Sequence, residues 1–413
     1  MIGAAARPAG APGPVAPPAP LPQALVLDWQ VGTATGWQVF GLNLALELLR
    51  DGRVTPLLLE PTDLAQFDPL QRHALALPLA QQPGLRAMLA AAGEVGLSCE
   101  YPVLRALGNG FQGNDGSRRL LSDRNVGVIF FEDTALDAPA MERAWSFDRI
   151  VAGSTWNGRL LEARGLDTVR VVPQGIDPAV FHPAPRAGRL AGRFVVFSGG
   201  KLEYRKGQDL VVAAFRAFQR RHPEALLLTA WHNAWPRTMV GLETAGHVQG
   251  LPAVDAYGRL ALEPWLLANG LPAGSFLDLG VLPNHRMAAA LREADVALFP
   301  NRCEGGTNLV AMEAMACGVP VILSANTGHL DLLTDPEASW RLDHQGRPRG
   351  GCPLYRGMDD WGESEVEEMV ERLEASYRDR ADAAHRGIAA ARLMQERWSW
   401  RRRAAELLEA LPA

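Results

Sequence analysis

The chain of 413 residues holds only four cysteines, Cys99, Cys303, Cys317 and Cys352. They are scattered, with no pair at metal-ligand spacing, so neither a zinc site nor a disulfide framework organises the fold, and a reducing compartment is implied. No run approaches the roughly eighteen apolar residues that a membrane-spanning helix needs. An excess of positive charge is missing too. The 41 Lys and Arg stand against 46 Asp and Glu, a formal net charge of -5. No basic stripe with interleaved aromatics is present, which removes nucleic acid as the main partner. The clusters Arg220-Arg221 and Arg401-Arg402-Arg403 read first as solvated helix ends, with a membrane-facing patch as the lesser option. Prolines interrupt the Ala-rich start, so it cannot form the apolar core of a signal peptide. Residues 1–23 are expected to be a flexible, partly polyproline tail outside the fold. The protein is expected in the cytoplasm, with peripheral membrane contact left open.

What the chain does hold is the balance of a globular protein: 47% hydrophobic and 21% charged residues. Its length predicts two domains. The apolar run Ala24 to Trp29 reads as a buried strand, followed by Gly32 and Gly36 and then a helical pattern from Val39 to Leu49. Strand, glycine turn and helix open a doubly wound sheet. Further strands are predicted at 55–59, 103–106, 126–131, 149–152 and 169–172. Prolines 173, 178, 183 and 185 with nearby glycines mark a linker at 173–193. A second series follows, with strands at 194–197, 225–229, 276–279, 296–299, 319–323 and 340–342. Helices are predicted at 208–220, 284–293 and 309–317, and two more after Asp360. Two alternating α/β halves imply parallel sheets with a ligand cleft between them.

The richest segment runs from Cys303 to Ile322, CEGGTNLVAMEAMACGVPVI. It follows a predicted buried strand, so Glu304 to Asn308 sit at a carboxyl end, the ligand edge of an open parallel sheet. Gly305 and Gly306 let the backbone turn and approach a ligand. Thr307 or Asn308 can cap the next helix, and the amides from Thr307 to Leu309 then favour an anion such as a phosphate. Gly318 suits the left-handed exit of that helix. Glu304 on the loop would accept hydrogen bonds from hydroxyls, and Glu313 on the helix would reach a diol. A lone glutamate in either place would read as a solvated loop residue or a surface ion pair. The strand–loop–helix setting favours the site.

This segment resembles the signature of the family 4 glycosyltransferases: a glutamate, a Gly-containing loop, a second glutamate followed by Ala-Met-Ala, and Gly-x-Pro. Glu304 and Glu313 enclose one residue more than is usual, and Gly306 reads as the insertion. A second match is Phe194-Val-Val-Phe-Ser-Gly-Gly-Lys201-Leu-Glu-Tyr-Arg-Lys206-Gly207, with Lys201 where arginine is usual. Val172-Pro173-Gln174-Gly175-Ile176-Asp177 resembles the family's linker, and Trp398-Ser399-Trp400 its C-terminal signature.

The resemblance implies a GT-B fold. Two Rossmann-like doubly wound α/β domains, 24–185 for the acceptor and 186–390 for the donor, would face a cleft. A C-terminal helix, 391–413, would cross back to the first domain. It further implies a retaining, metal-independent hexosyltransferase that needs no cofactor. Such an enzyme uses a nucleoside diphosphate sugar, UDP- or GDP-linked, and an acceptor hydroxyl on a glycan, lipid-linked, protein or small-molecule substrate. Glu304 would hold the donor sugar and Glu313 the ribose. Lys201 and Lys206 would lie on the diphosphate, with Gly200 beside them and Arg205 adjacent. Backbone around Gly280-Val281 would read the base, and the Gly32–Gly36 turn would approach the diphosphate. Glu132 would orient the acceptor hydroxyl or the anomeric centre, unless it merely caps a helix. His285 and His329 are expected to be structural. The alternatives that remain are another GT-B nucleotide-sugar enzyme, an epimerase or hydrolase, or a non-catalytic nucleotide-sugar-binding protein.

Overall fold

A computed structural model of the protein describes residues 21–113 and 119–412; residues 1–20 of the expected tail lie outside the described residues. Two parallel sheets of six strands each account for the alternating apolar runs. The first contains β1 (Ala24–Leu27), β2 (Thr55–Leu58), β3 (Val103–Leu107), β4 (Asn125–Ile129), β5 (Arg149–Ala152) and β6 (Val169–Val171), in the order β2-β1-β3-β4-β5-β6. The second contains β7 (Phe194–Lys201), β8 (Ala225–His232), β9 (Phe276–Asp278), β10 (Val296–Phe299), β11 (Val321–Ser324) and β12 (Trp340–Leu342), in the order β9-β8-β7-β10-β11-β12. Helices cover both faces, so inner strands such as β10 are buried throughout and read as unbroken apolar runs.

The strand order reverses direction at one place in each sheet. In the first sheet β1 lies between β2 and β3; in the second β7 lies between β8 and β10. Loops leaving neighbouring strands at such a point diverge to opposite faces and open a crevice at the carboxyl edge. The segments after β7 and β10, which carry Lys201–Gly207 and Asn301–Asn308, bound the second crevice. The segments after β1 and β3 bound the first.

The predicted strands are all present, but β7 and β8 run four and three residues further than predicted, to Lys201 and His232, and the other ends agree within about two residues. The structure adds a small parallel pair, Leu97–Cys99 with Leu120–Ser122. It also adds the helices Pro69–Ala74 and Ala76–Ala91. Pro83 and Gly84 lie inside the second helix and obscured it in the sequence.

The chain ends by returning to its beginning. Ile176 N–H donates to Trp398 O (2.7 Å) and Trp400 N–H donates to Ile176 O (3.0 Å), pinning the crossover. Ser399 caps the helix Trp400–Glu409. Trp400 stacks on Phe40 with centroids 5.5 Å apart, and Leu407 and Leu408 enter the core of the first-sheet half. Gly175 makes this approach possible, because a Cβ there would meet Trp400 N at 2.7 Å and its Cα at 2.9 Å. Gly175→Ala should therefore cost about 1–3 kcal/mol through overpacking, measured by chemical denaturation. Gly84→Ala, with no atom within 4 Å of the new carbon, should be neutral or stabilising by up to about 1 kcal/mol. Equal effects of the two would contradict this packing.

Candidate functional site

A cavity of about 630 Å³ lies between the sheets at the carboxyl edges of both crevices. Backbone geometry delivers its charges. Gly200, the last residue but one of β7, lies at φ +116, a conformation suited to glycine, and sends the chain into Lys201. Gly207 closes the same turn at φ +69, and a Cβ there would collide with Pro300 O. The turn is thus seated directly on the end of β10, which brings Lys201–Lys206 against Asn301–Glu304.

Three cations and three carboxylates meet there. Lys206 Nζ pairs with Glu304 Oε1. Arg205 reaches Glu203 (2.6 Å), Glu304 (3.2 Å) and, across the cleft, Glu132 (3.3 Å). Lys201 Nζ pairs with Glu203 (2.7 Å) and lies 5.2 Å from the centroid of the Trp235 ring. Asn301 Nδ2 also donates to Glu304. Burial pushes the Glu304 carboxyl up, but the Lys206 and Arg205 cations outweigh it and hold the group down to about 2. Burial pushes Lys206 below the ordinary lysine value, and Glu304 pulls part of that back. Burial raises Glu132, opposed by Arg205. The Glu304 oxygens, expected to face sugar hydroxyls, are here engaged by cations.

Glu313 has a different environment. It lies inside the uniformly apolar helix Leu309–Ala316 and is 4% exposed. The Asn284 amide donates to it at 2.5 Å. Burial raises its carboxyl to about 8, the hydrogen bond opposing only weakly. Asn308 caps the helix from a left-handed φ of +66. Its amide contacts His329 Nε2 at 3.0 Å, and His329 Nδ1 contacts Ser324 Oγ at 3.0 Å. His329 is thus buried support for the cap, and burial lowers it to about 4. Gly318 leaves the helix at φ +78.

Of the sequence-predicted residues, Gly36, Glu132, Gly200, Lys201, Lys206, Gly280, Val281, Glu304, Gly306, Asn308, Leu309 and Glu313 line the cavity. Gly32, Gly305 and Thr307 do not. A Cβ on Gly32 would meet Gln66 at 2.7 Å, and one on Gly305 would meet Phe130 O at 2.6 Å. The Thr307 hydroxyl contacts Met312 Sδ. Gly305 therefore brings the loop close to the opposite half, where Ser154 Oγ donates to Gly305 O at 2.7 Å.

Sequence reasoning missed Glu203, Asn284 and Asn301, and gave Arg205 no role of its own. Placing acidic Glu203 between two cations was the available signal for the first. It also missed the strap between β12 and the helix Val366–Arg378. Anchored by Glu363 on the buried Arg302, the strap crosses to the first half. There Gly357 N–H donates to Asp133 (2.8 Å) and Trp361 Nε1 to Glu132 O (3.1 Å). It also puts Leu354 and Tyr355 into the cavity wall. Among the described residues no group of three or more His, Cys, Asp or Glu is placed to hold a metal ion. No helix of the described residues is long and apolar enough to cross a membrane.

Residues 283–407 match a family model described as Family 4 Glycosyltransferase in conflict systems. A D-inositol 3-phosphate glycosyltransferase of Acidothermus cellulolyticus is 29% identical over 222 residues, 51% of this chain and 46% of that protein. A GDP-mannose-dependent alpha-(1-6)-phosphatidylinositol monomannoside mannosyltransferase of Mycolicibacterium smegmatis is 27% identical over 258 residues, 58% of this chain and 55% of that protein. The chain spans about half the length of the curated relatives it matches. Among solved structures, sucrose-phosphate synthase from Thermosynechococcus elongatus superposes with a TM-score of 0.62 at 18% identity, covering 94% of this chain and 97% of that one. HepE of Anabaena, solved with UDP and glucose, superposes at 0.60 with 15% identity, covering 93% and 98%. The fold is GT-B.

The Glu313 environment has a measurable consequence. A carboxyl whose folded-state pKa is raised holds its proton more tightly folded than unfolded. Its cost is absent below the ordinary value of 4.5 and grows as pH rises through about 8. Glu313→Gln removes the ionisation, so its melting temperature should gain on the parent's between about pH 5 and about pH 9. A difference that stays constant over that range would refute the desolvated carboxyl.

Proposed function

We propose that the chain is a family 4 glycosyltransferase, a reading supported by the family match over residues 283–407, and that it moves a hexosyl group from a nucleoside diphosphate sugar to an acceptor hydroxyl, with retention at the anomeric carbon and without an essential metal. Residues 186–390 would hold the donor and 24–185 the acceptor. The observation that carries the reading is the convergence of Lys201, Arg205 and Lys206 with Glu304 at the switch point of the second sheet. The start of the helix Leu309–Ala316 and Glu313 border the same cavity.

Charge drives the proposed chemistry. As the bond from anomeric carbon to oxygen breaks, the nucleoside diphosphate gains negative charge, and prepositioned cations stabilise that charge without reorganising. Lys201 and Lys206 would face the diphosphate, with Arg205 adjacent, aided by amides at the N-terminus of the helix. Glu304, already ionised, would accept hydrogen bonds from the sugar hydroxyls. Glu313 would receive the ribose diol, and Asn284 fixes its orientation. The leaving phosphate would take the acceptor's proton on the face it departs from, so a separate base is not required. Glu132, held by Arg205, would orient the acceptor hydroxyl.

The relatives' names include a GDP-mannose donor, and HepE is solved with UDP-glucose; UDP- and GDP-sugars are the donors to try first. The acceptors in those names are D-inositol 3-phosphate and a phosphatidylinositol monomannoside.

A thermal-shift screen of UDP-, GDP- and ADP-sugars should reveal the donor, since saturation at about 100 times Kd stabilises by about 2.7 kcal/mol. With that donor, Lys206→Ala and Glu313→Ala should each lower transfer by about tenfold or more while the fold is retained. Near-normal rates in both variants would overturn the site assignment. Product formed from the donor alone, with no dependence on acceptor, would favour an epimerase or hydrolase.

A further inference from the structure

Resting on that transferase reading, we propose that the cavity wall built by the first-sheet half is a subsite for an uncharged, polyhydroxylated ring, a glycoside or glycan end, and not for a phosphorylated acceptor. The cavity's Lys and Arg cations, Lys201, Arg205 and Lys206, all leave one turn after β7, and carboxylates hold each of them. The opposite wall presents Thr35, Trp37, Asn109, Phe130, Glu132 and Gln174. No cation is among these described residues, and their single ionisable group is a carboxylate. A phosphoryl group brings a charge of about -1.5 to -2. Beside Glu132, whose cationic partner Arg205 is already shared with Glu203 and Glu304, that charge would find no cation of the wall to offset it.

The same wall suits a sugar ring. Asn109 Oδ1 accepts from Glu132 N–H (2.9 Å) and Asp133 N–H (3.2 Å). Those bonds fix the amide orientation and leave its Nδ2 as a donor. Glu132 supplies an acceptor, steadied by Arg205. Trp37 is held edge-on by Phe130 (4.9 Å, 72°) and Trp29 (5.5 Å, 66°), so its indole is a rigid apolar surface for the C–H face of a sugar. Across the cavity the strap supplies Tyr355. Its ring is braced by Trp361 at 4.9 Å, and Glu203, Arg205 and Glu132 dominate the charge around its hydroxyl. A rigid aromatic, an amide donor, a carboxylate acceptor and a phenol hydroxyl match a ring that carries hydroxyls on its rim and hydrogens on its face.

The full chain, with the donor found by thermal shift, would be offered methyl hexopyranosides, the same sugars bearing a phosphate, and inositol phosphate. The expected result is a kcat/KM at least about tenfold higher for the neutral glycosides. Tyr355→Phe and Trp37→Ala should each raise the acceptor KM severalfold with the donor KM unchanged, a split that a merely structural role would not produce. Tyr355→Phe removes one hydroxyl and keeps the packing, so it tests the subsite even if Trp37→Ala folds poorly. Equal or preferred use of the phosphorylated acceptors would overturn the proposal. So would an unchanged acceptor KM in Tyr355→Phe, or donor-loaded protein that neither binds neutral glycosides by calorimetry nor transfers to them. Failure of every nucleotide sugar to protect the parent protein would instead overturn the transferase reading itself.

Discussion

The guanidinium of Arg205 is the interaction on which the rest of the cleft depends. It touches Glu203 and Glu304 from its own half and Glu132 from the other, and only 12% of its side chain is exposed. A planar, permanently charged group with several fixed donors is suited to joining carboxylates that would otherwise repel one another. Removing one partner from such a buried network typically costs about 3–5 kcal/mol, because the remaining charges lose their compensation. The ionised state of Glu304 follows from this arrangement and from Lys206. The position of Glu132 follows as well, so Arg205 joins the carboxylates of one half to the opposite wall of the cavity.

Close backbone approach makes that network possible. Gly207 seats the cationic turn on Pro300, Gly175 admits the Trp400 backbone, and Gly305 rests against Phe130. Each glycine is where a loop from one element meets the main chain of another, and a side chain there would separate the groups that must meet. The strap from β12 adds contacts across the cleft through Gly357, Trp361 and Asp360, the last accepting from Trp156 Nε1 at 3.1 Å. The crossing helix closes the other side with Trp400 on Phe40. Cavity shape is therefore set jointly by segments far apart in the chain.

Within this frame the two signature glutamates have opposite electrostatics. Glu304 is buried beside two cations and is held down to about 2. Glu313 is buried beside a neutral amide and is pushed up to about 8. Identical side chains nine positions apart thus differ in charge near neutrality, and the cause is whether a cation lies within reach.

The sequence by itself determined the alternating strands, the apolar helix Leu309–Ala316 with its exit at Gly318, and the cation and glutamate motifs. These are legible because they rest on local periodicity, on glycine and proline geometry and on short spacings, all carried by neighbouring residues. Glu203, Asn284, Asn301 and the strap residue Tyr355 were not legible, since their roles come from partners distant in the chain. The sequence placed Gly32, Gly305 and Thr307 near a ligand by their neighbours in a motif, whereas the folded backbone turns them toward Gln66, Phe130 and Met312. Arg205 is the sharpest case. In the sequence it is one more cation beside Lys206, and only the tertiary structure makes it the bridge to Glu132, because ion pairing depends on distance in space and carries no periodic trace along the chain.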